Sequence, residues 1–152
     1  MMIFKLLGVV MITVSSAIIG FLKSRSLTAR RKKIELVYDA TGILYEYINQ
    51  GGCELDYAIK EAFTKCVFLQ VEKGKYSCDC DRDLTDEDKA LINDFFKGIG
   101  RSVKSVECDR INAFSTKIKS KLNDAQKDCE QKCKVYQTFG VCAGLIIGIL
   151  LI

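Results

Sequence analysis

Seventeen consecutive uncharged residues, Leu6–Leu22, constrain this chain more than any other feature. As a helix rising 1.5 Å per residue, the run measures about 26 Å, near the lower limit for crossing a bilayer core. Lys5 at its leading edge can extend its amine outward and add reach. Directly after the run come Lys23, Arg25, Arg30, Arg31, Lys32 and Lys33, six cations in eleven residues, with no acid before Glu35. A cationic flank of this kind marks the cytoplasmic side. The run therefore reads as a retained membrane anchor, and the six cations as a surface for anionic lipid headgroups. A cleaved leader with Ser15-Ser16-Ala17 as its processing site is the competing reading. Against it stand the apolar residues Ile18, Ile19, Phe21 and Leu22 beyond that site, and a charge cluster on the side that opposes export.

A second uncharged run, Tyr136–Ile152, lies at the other end. Between the two runs lie all 19 acidic residues and 22 of the 23 basic ones, so the middle has the make-up of a small water-facing domain. Three parts are expected: a transmembrane helix over residues 1–22, a cytoplasmic helical domain over 23–135 and a transmembrane helix over 136–152. Lys132 and Lys134 put the start of the second span inside, which leaves both chain ends outside. Gly140, Gly144 and Gly148 are spaced by four, and Gly8, Ser15, Ser16 and Gly20 supply small residues in the first run. That chemistry lets membrane helices approach closely.

Proline is absent, so nothing in the chain breaks a long helix. Leu27, Ile34, Val37, Thr41, Leu44, Tyr47 and Ile48 form one apolar stripe, predicting a helix over 24–50 that ends at Gly51-Gly52. A second helix is expected over about 55–69, with Leu55, Ile59, Ala62, Phe63 and Cys66 buried. Residues 74–83 read as a loop. Thr85 followed by Asp86, Glu87 and Asp88 reads as a capped helix start, since a hydroxyl and carboxylates suit its free amides and positive dipole. Gly98 and Gly100 end that helix. A fourth helix carries Val103, Ile111, Phe114, Ile118, Leu122, Ala125 and Cys129 on one face and runs without a break into the second apolar run. The expected fold class is all-α, a small bundle of about four helices flanked by two transmembrane helices.

The residue types exclude much chemistry. Histidine is absent, which removes the commonest general base and zinc ligand. No glycine-rich phosphate loop is present. The basic cluster lacks any nucleic-acid motif. The eight cysteines, placed in a reducing compartment by the charge flanks, read mostly as small buried apolar residues. Cys78-x-Cys80, with Cys108 or with Asp79 and Asp81, is the best metal candidate, but a structural zinc site normally shows two such pairs. Asp79-x-Asp81-x-Asp83 fails as a calcium loop, because Leu84 and Ala90 stand where glycine and glutamate are required. Cys129 and Cys133 share a helix face and read as core. No enzymatic activity, metal or cofactor is expected.

Other residues resemble a known family. They are Leu7-Gly8, Ser15-Ser16 and Gly20-Phe21 with the arginine-rich exit, Gly52-Cys53-Glu54-Leu55-Asp56-Tyr57-Ala58-Ile59, Gly100-Arg101-Ser102, and Tyr136, Gly140 and Gly144-Leu145. In order and spacing they resemble stage III sporulation protein AB of endospore-forming bacteria. Val103 departs from the family, whose members tend to carry an acid there.

The resemblance implies a scaffold in the transport complex between mother cell and forespore, located in the mother-cell membrane around the forespore. It implies a cytoplasmic domain similar to the helical domains of the type II secretion platform protein. It also implies partners: the secretion-type ATPase, stage III sporulation protein AA, and the other stage III sporulation membrane proteins. The end of the domain away from the membrane, with Gly51, Gly52, Gly98, Gly100, Arg101 and Ser102, is the expected docking face, and Asp86, Glu87 and Asp88 are expected to contribute exposed charge. The alternative is a small integral-membrane regulator with Cys78 and Cys80 as a redox or metal switch.

Overall fold

A computed structural model describes residues 2–51, 54–72 and 75–151. The elements in order are α1 (Met2–Gln50), α2 (Leu55–Ala62), β1 (Gln70–Glu72), β2 (Lys75–Ser77), α3 (Asp86–Gly98) and α4 (Lys104–Leu151). The chain divides into two compact units, one of residues 1–29 with 125–152 and one of residues 30–124.

The unit of residues 30–124 is a helical bundle with a small hairpin. Ile34, Val37, Thr41 and Leu44 are fully buried on α1, at the spacing of three and four that the sequence pattern predicts. Ile92 and Phe95 on α3, with Ile111, Phe114 and Ile118 on α4, complete the core. The Phe95 and Phe114 rings stack with centroids 4.0 Å apart. Each large aliphatic side chain buried this way contributes about 1.5–3 kcal/mol, which outweighs the poor surface charge pairing along α4. α1 and α4 run antiparallel: the Lys104 amine at the start of α4 donates to the Asn49 carbonyl at the end of α1, at 2.7 Å.

Three local expectations are corrected. α2 ends at Ala62, well short of residue 69. Beyond it Thr64, Cys66 and Leu69 close successive three-residue turns onto Glu61, Phe63 and Cys66. Phe63, Cys66 and Leu69 stay buried through those turns, so the apolar spacing persists after the helix has unwound. The stretch read as a loop contains β2, which pairs antiparallel with β1 through Gln70↔Ser77, Val71↔Tyr76 and Glu72↔Lys75. Val103, expected in the core, is 69% exposed because it immediately precedes α4 and only its carbonyl is used, by the Glu107 amide.

The unit of residues 1–29 with 125–152 is an antiparallel helix pair. The two helices meet at small residues: Ser16 donates to the Gly140 carbonyl at 2.7 Å, and a Cβ on Gly20 would collide with the Tyr136 carbonyl oxygen. Its outer surface is apolar, with Val10, Val14, Ile18, Ile19, Phe21, Phe139, Ile146 and Ile147 all exposed. α1 is long and apolar enough to cross a membrane, and only 11% of its apolar window is buried.

Candidate functional site

At one end of the 30–124 bundle the backbone forms two linked turns. Gly51 stops α1 with φ 73°, and its amide bonds to the Tyr47 carbonyl. Gly100 follows α3 with φ 84°. A Cβ at Gly100 would meet only the end of the Leu55 side chain, which can shift, so it is the left-handed backbone that calls for glycine here. Glu107, buried on α4, accepts from the Arg101 and Ser102 amides at 3.2 and 3.0 Å with one carboxylate oxygen. Arg110 donates to the Gly98 carbonyl and ties the end of α3 to α4. The Gly51 turn and the Gly98–Ser102 turn thus share one end, as expected. Gly52 and Cys53 lie outside the described residues.

Beside these turns lies a groove of about 510 Å³. Its floor is apolar: Leu55, Ile59, Val71, Tyr76, Phe96 and Ile99. Asp56, Lys60, Lys97 and Arg101 form its polar margin, three cations against one acid. The hairpin helps build it, because Val71 and Tyr76 pair across the strands and so share one face. The Tyr76 ring stacks on Phe96 at 4.9 Å, and Phe96 packs edge-on against Phe63 at 5.0 Å. Burial, with Asp56 nearby, pushes the Tyr76 hydroxyl above its ordinary pKa. Of the sequence-derived candidates among the described residues, Gly100 and Arg101 line the groove. Val71, Tyr76, Phe96, Lys60 and Lys97 were missed. The alternating Gln70-Val71-Glu72 and Lys75-Tyr76-Ser77 around Lys73-Gly74 was the signal for the hairpin.

The acidic triplet is elsewhere. Thr85 caps α3 and forms a capping box with Asp88. Asp88 is buried and receives Arg30 through Nε at 2.7 Å and Nη2 at 3.2 Å. Burial alone would raise the Asp88 pKa; the Arg30 and Thr85 hydrogen bonds outweigh it and hold the carboxyl below its ordinary range. Glu87 pairs with Lys121, and only Asp86 stands fully in solvent. Arg30 is twenty residues from Gln50 on α1, about 30 Å along the helix. Asp86, Glu87 and Asp88 therefore sit at the opposite end of the bundle from the glycine turns, and Asp88 is not an exposed charge.

The basic cluster divides in a similar way. Lys33 bridges Asp81 and Asp83 at 2.6 Å each, and Arg30 is held by Asp88, so these two cations are already neutralised inside the bundle. Arg31 lies 4.0 Å from Glu35, while Lys23, Arg25 and Lys32 are exposed.

Cys78 and Cys80 lie in different surroundings. The Cys78 thiol is buried against Asn93 and Lys89, and burial, with Asp79 and Asp81 nearby, pushes its pKa up to about 11. Cys80 is exposed. Among the described residues no three His, Cys, Asp or Glu side chains converge as a metal site.

The groove joins an apolar floor to a margin of three cations and one acid. In the comparisons with known proteins, the family model for stage III sporulation protein AB matches residues 71–152, just over half of the chain. No curated protein and no solved structure matches.

Proposed function

The chain belongs to the stage III sporulation protein AB family, and on that premise we propose that it is a membrane-anchored scaffold of the mother cell–forespore transport complex that docks a cytoplasmic ATPase. The observation that carries this reading is the groove at the Gly51 and Gly100 end of the bundle. It combines an exposed apolar residue, Val71, with stacked aromatics and three cations, the mixture that favours a protein partner over a small polar ligand. Its charge suits an apolar segment flanked by acids. The partner is the secretion-type ATPase, stage III sporulation protein AA, with the other stage III sporulation membrane proteins around the anchor.

The membrane part of the proposal has two spans, α1 from its start to residue 22 and α4 from residue 136 onward. Exposed apolar side chains on both helices support it, because in water they would cost roughly 25 cal/mol per Å². The bundle is then cytoplasmic, with a fold similar to the type II secretion platform domain. Lys23, Arg25 and Lys32 remain for lipid headgroups. The test is capture of the purified ATPase by the full chain in lipid nanodiscs. Retention by the native chain and loss with Val71→Asp, at unchanged helicity, is expected. No retention by the native chain would end the docking proposal.

A further inference from the structure

Two grooves flank the seam between the helices of the 1–29/125–152 unit, and they differ in charge. One, of about 590 Å³, has Gly20 and Gly140 on its floor and Ile19, Leu22, Phe139 and Ala143 on its walls. Lys23 and Ser26 line it farther along α1. Tyr136 lines it from α4 at that same end, since the antiparallel helices set Gly140 beside Ser16 and Gln137 beside Ser24. The other groove, of about 520 Å³, lies between Val14, Ile18 and Phe21 on α1 and Gln137 and Val141 on α4. Among the described residues that line it none is charged, and the Gln137 amide already donates to the Ser24 hydroxyl at 3.1 Å.

The first groove is graded along its length. From Ser16 to Ser26 it follows α1 for ten residues, about 15 Å. Its apolar end, at Ser16 and Ala143, lies about 9 Å inside the span that ends at residue 22. That depth keeps it within one leaflet of a hydrocarbon core about 30 Å thick. Its polar end, at Lys23, Ser26 and Tyr136, falls at the level of the headgroups. An apolar trough that ends in an ammonium and hydroxyls complements an acyl chain that ends in a phosphate. A third helix is a poorer occupant. Membrane helices approach closely through small residues, and Gly20 and Gly140 are already used between α1 and α4, since a Cβ on either would strike the opposing backbone. The side chains left facing outward, Ile19, Leu22 and Phe139, are bulky and exposed.

We infer that this groove is a site for one anionic phospholipid, with an acyl chain against Ile19, Leu22 and Phe139 and the phosphate on the Lys23 ammonium. The site rests on the membrane-anchored reading and gives its lipid contact one specific occupant. Lys23 is exposed at the groove's polar end. A charge-assisted bond from ammonium to phosphate is stronger there than in open water, because the neighbouring hydrocarbon lowers the local dielectric. A zwitterionic headgroup carries its own ammonium, which opposes Lys23, so the anionic lipid is preferred. The bound lipid bridges the two helices, with Lys23 from α1 and Phe139 from α4.

The test uses the full chain in nanodiscs of phosphatidylcholine with a minor fraction of phosphatidylglycerol, one of the two lipids carrying a photoactivatable diazirine in its acyl chain. After illumination, tandem mass spectrometry reads which residues are labelled. Diazirine on phosphatidylglycerol should mark Ile19, Leu22 and Phe139 at least about fivefold more than Val14, Ile18 and Phe21 on the other face, the scale of one basic residue at an anionic surface. Diazirine on phosphatidylcholine should mark both faces alike. Lys23→Gln should erase the asymmetry, while Arg25→Gln, which removes the same charge outside the groove, should keep it. The comparison of faces in the native chain needs no variant, so misfolding does not confuse it. Equal labelling of the two faces by phosphatidylglycerol, or an asymmetry that survives Lys23→Gln, would overturn the lipid site and leave the anchor standing. A groove face labelled less than the other would mean a protein occupant and would overturn it too. No labelling of either face by either lipid would remove the membrane-anchored reading, and the lipid site with it.

Discussion

Replacing Asp88 with alanine is the sharpest test of how the bundle is held. The carboxylate is 1% exposed, and the Arg30 side chain that it binds is 12% exposed. Removing one partner of a buried ion pair costs about 3–5 kcal/mol, because the other charge is left buried and alone. The same carboxylate accepts from the Thr85 amide at 3.2 Å, and losing that end of the capping box adds about 1 kcal/mol. The residual exposure of Arg30 lets water recover part of this, so the net loss is about 4 kcal/mol. For a unit of this size that corresponds to a drop in Tm of roughly 15–30 °C. Urea and thermal unfolding in detergent, followed by circular dichroism, measure it. Asp86→Ala, at the exposed neighbour, should stay within about 0.5 kcal/mol. The double variant Arg30→Met/Asp88→Leu should regain at least half the loss, since an apolar pair removes the orphaned charge. The pH dependence has a definite sign. With the folded pKa of Asp88 held below the unfolded value near 3.9, its stabilisation is fully present above that value. It is lost as pH falls through the lower folded pKa, so native and Asp88→Ala chains should converge in stability there. An Asp88→Ala cost under about 1 kcal/mol, or a double variant no better than the single one, would refute the reasoning.

Other outcomes follow from the same geometry. Phe114→Ala removes a ring stacked at 4.0 Å on Phe95 and should cost about 3–5 kcal/mol in the same unfolding assay; under about 1 kcal/mol would mean that the ring is not core. Gly100→Ala forces a side chain into a left-handed backbone and should cost about 1–3 kcal/mol, with hydrogen exchange rising first in the turn that follows α3. Gly20→Leu should part α1 from α4 around Gly140, and the loss of the Ser16 bond should appear as faster amide exchange on both helices; unchanged exchange would contradict the close packing.

What the sequence made legible was whatever depends on local pattern. The stripe Ile34, Val37, Thr41, Leu44 gave α1 its buried face, and Thr85 with its acids gave the start of α3. Spacing failed at Phe63, Cys66 and Leu69, since residues three apart face one way in tight turns as well as in a helix. The hairpin was lost because its strands have three residues each, too few for alternation to stand out beside charged neighbours. The triplet was read rightly as a helix cap, but the burial of Asp88 was not, because a capping carboxylate and a buried ion-pair partner look identical in sequence. Only tertiary packing brings Arg30 to Asp88, 58 positions away, and Lys33 to Asp81 and Asp83. The groove was half visible: its glycine turn could be read locally, but its aromatic floor joins α2, the hairpin and α3.

The central claim is that the groove, and not the acidic end of the bundle, receives the ATPase. The direct measurement is the Kd of purified stage III sporulation protein AA for the full chain in nanodiscs, compared across three variants. Val71→Asp places a charge on the apolar floor and should weaken binding by at least about thirtyfold, the scale of a central interface residue worth 2 kcal/mol. Arg101→Glu at the margin should slow association, most strongly at low salt, and flatten its salt dependence. Glu87→Lys, nine residues and about 14 Å along α3 from Phe96, should leave Kd unchanged. Binding lost with Glu87→Lys and kept with Val71→Asp would contradict the account.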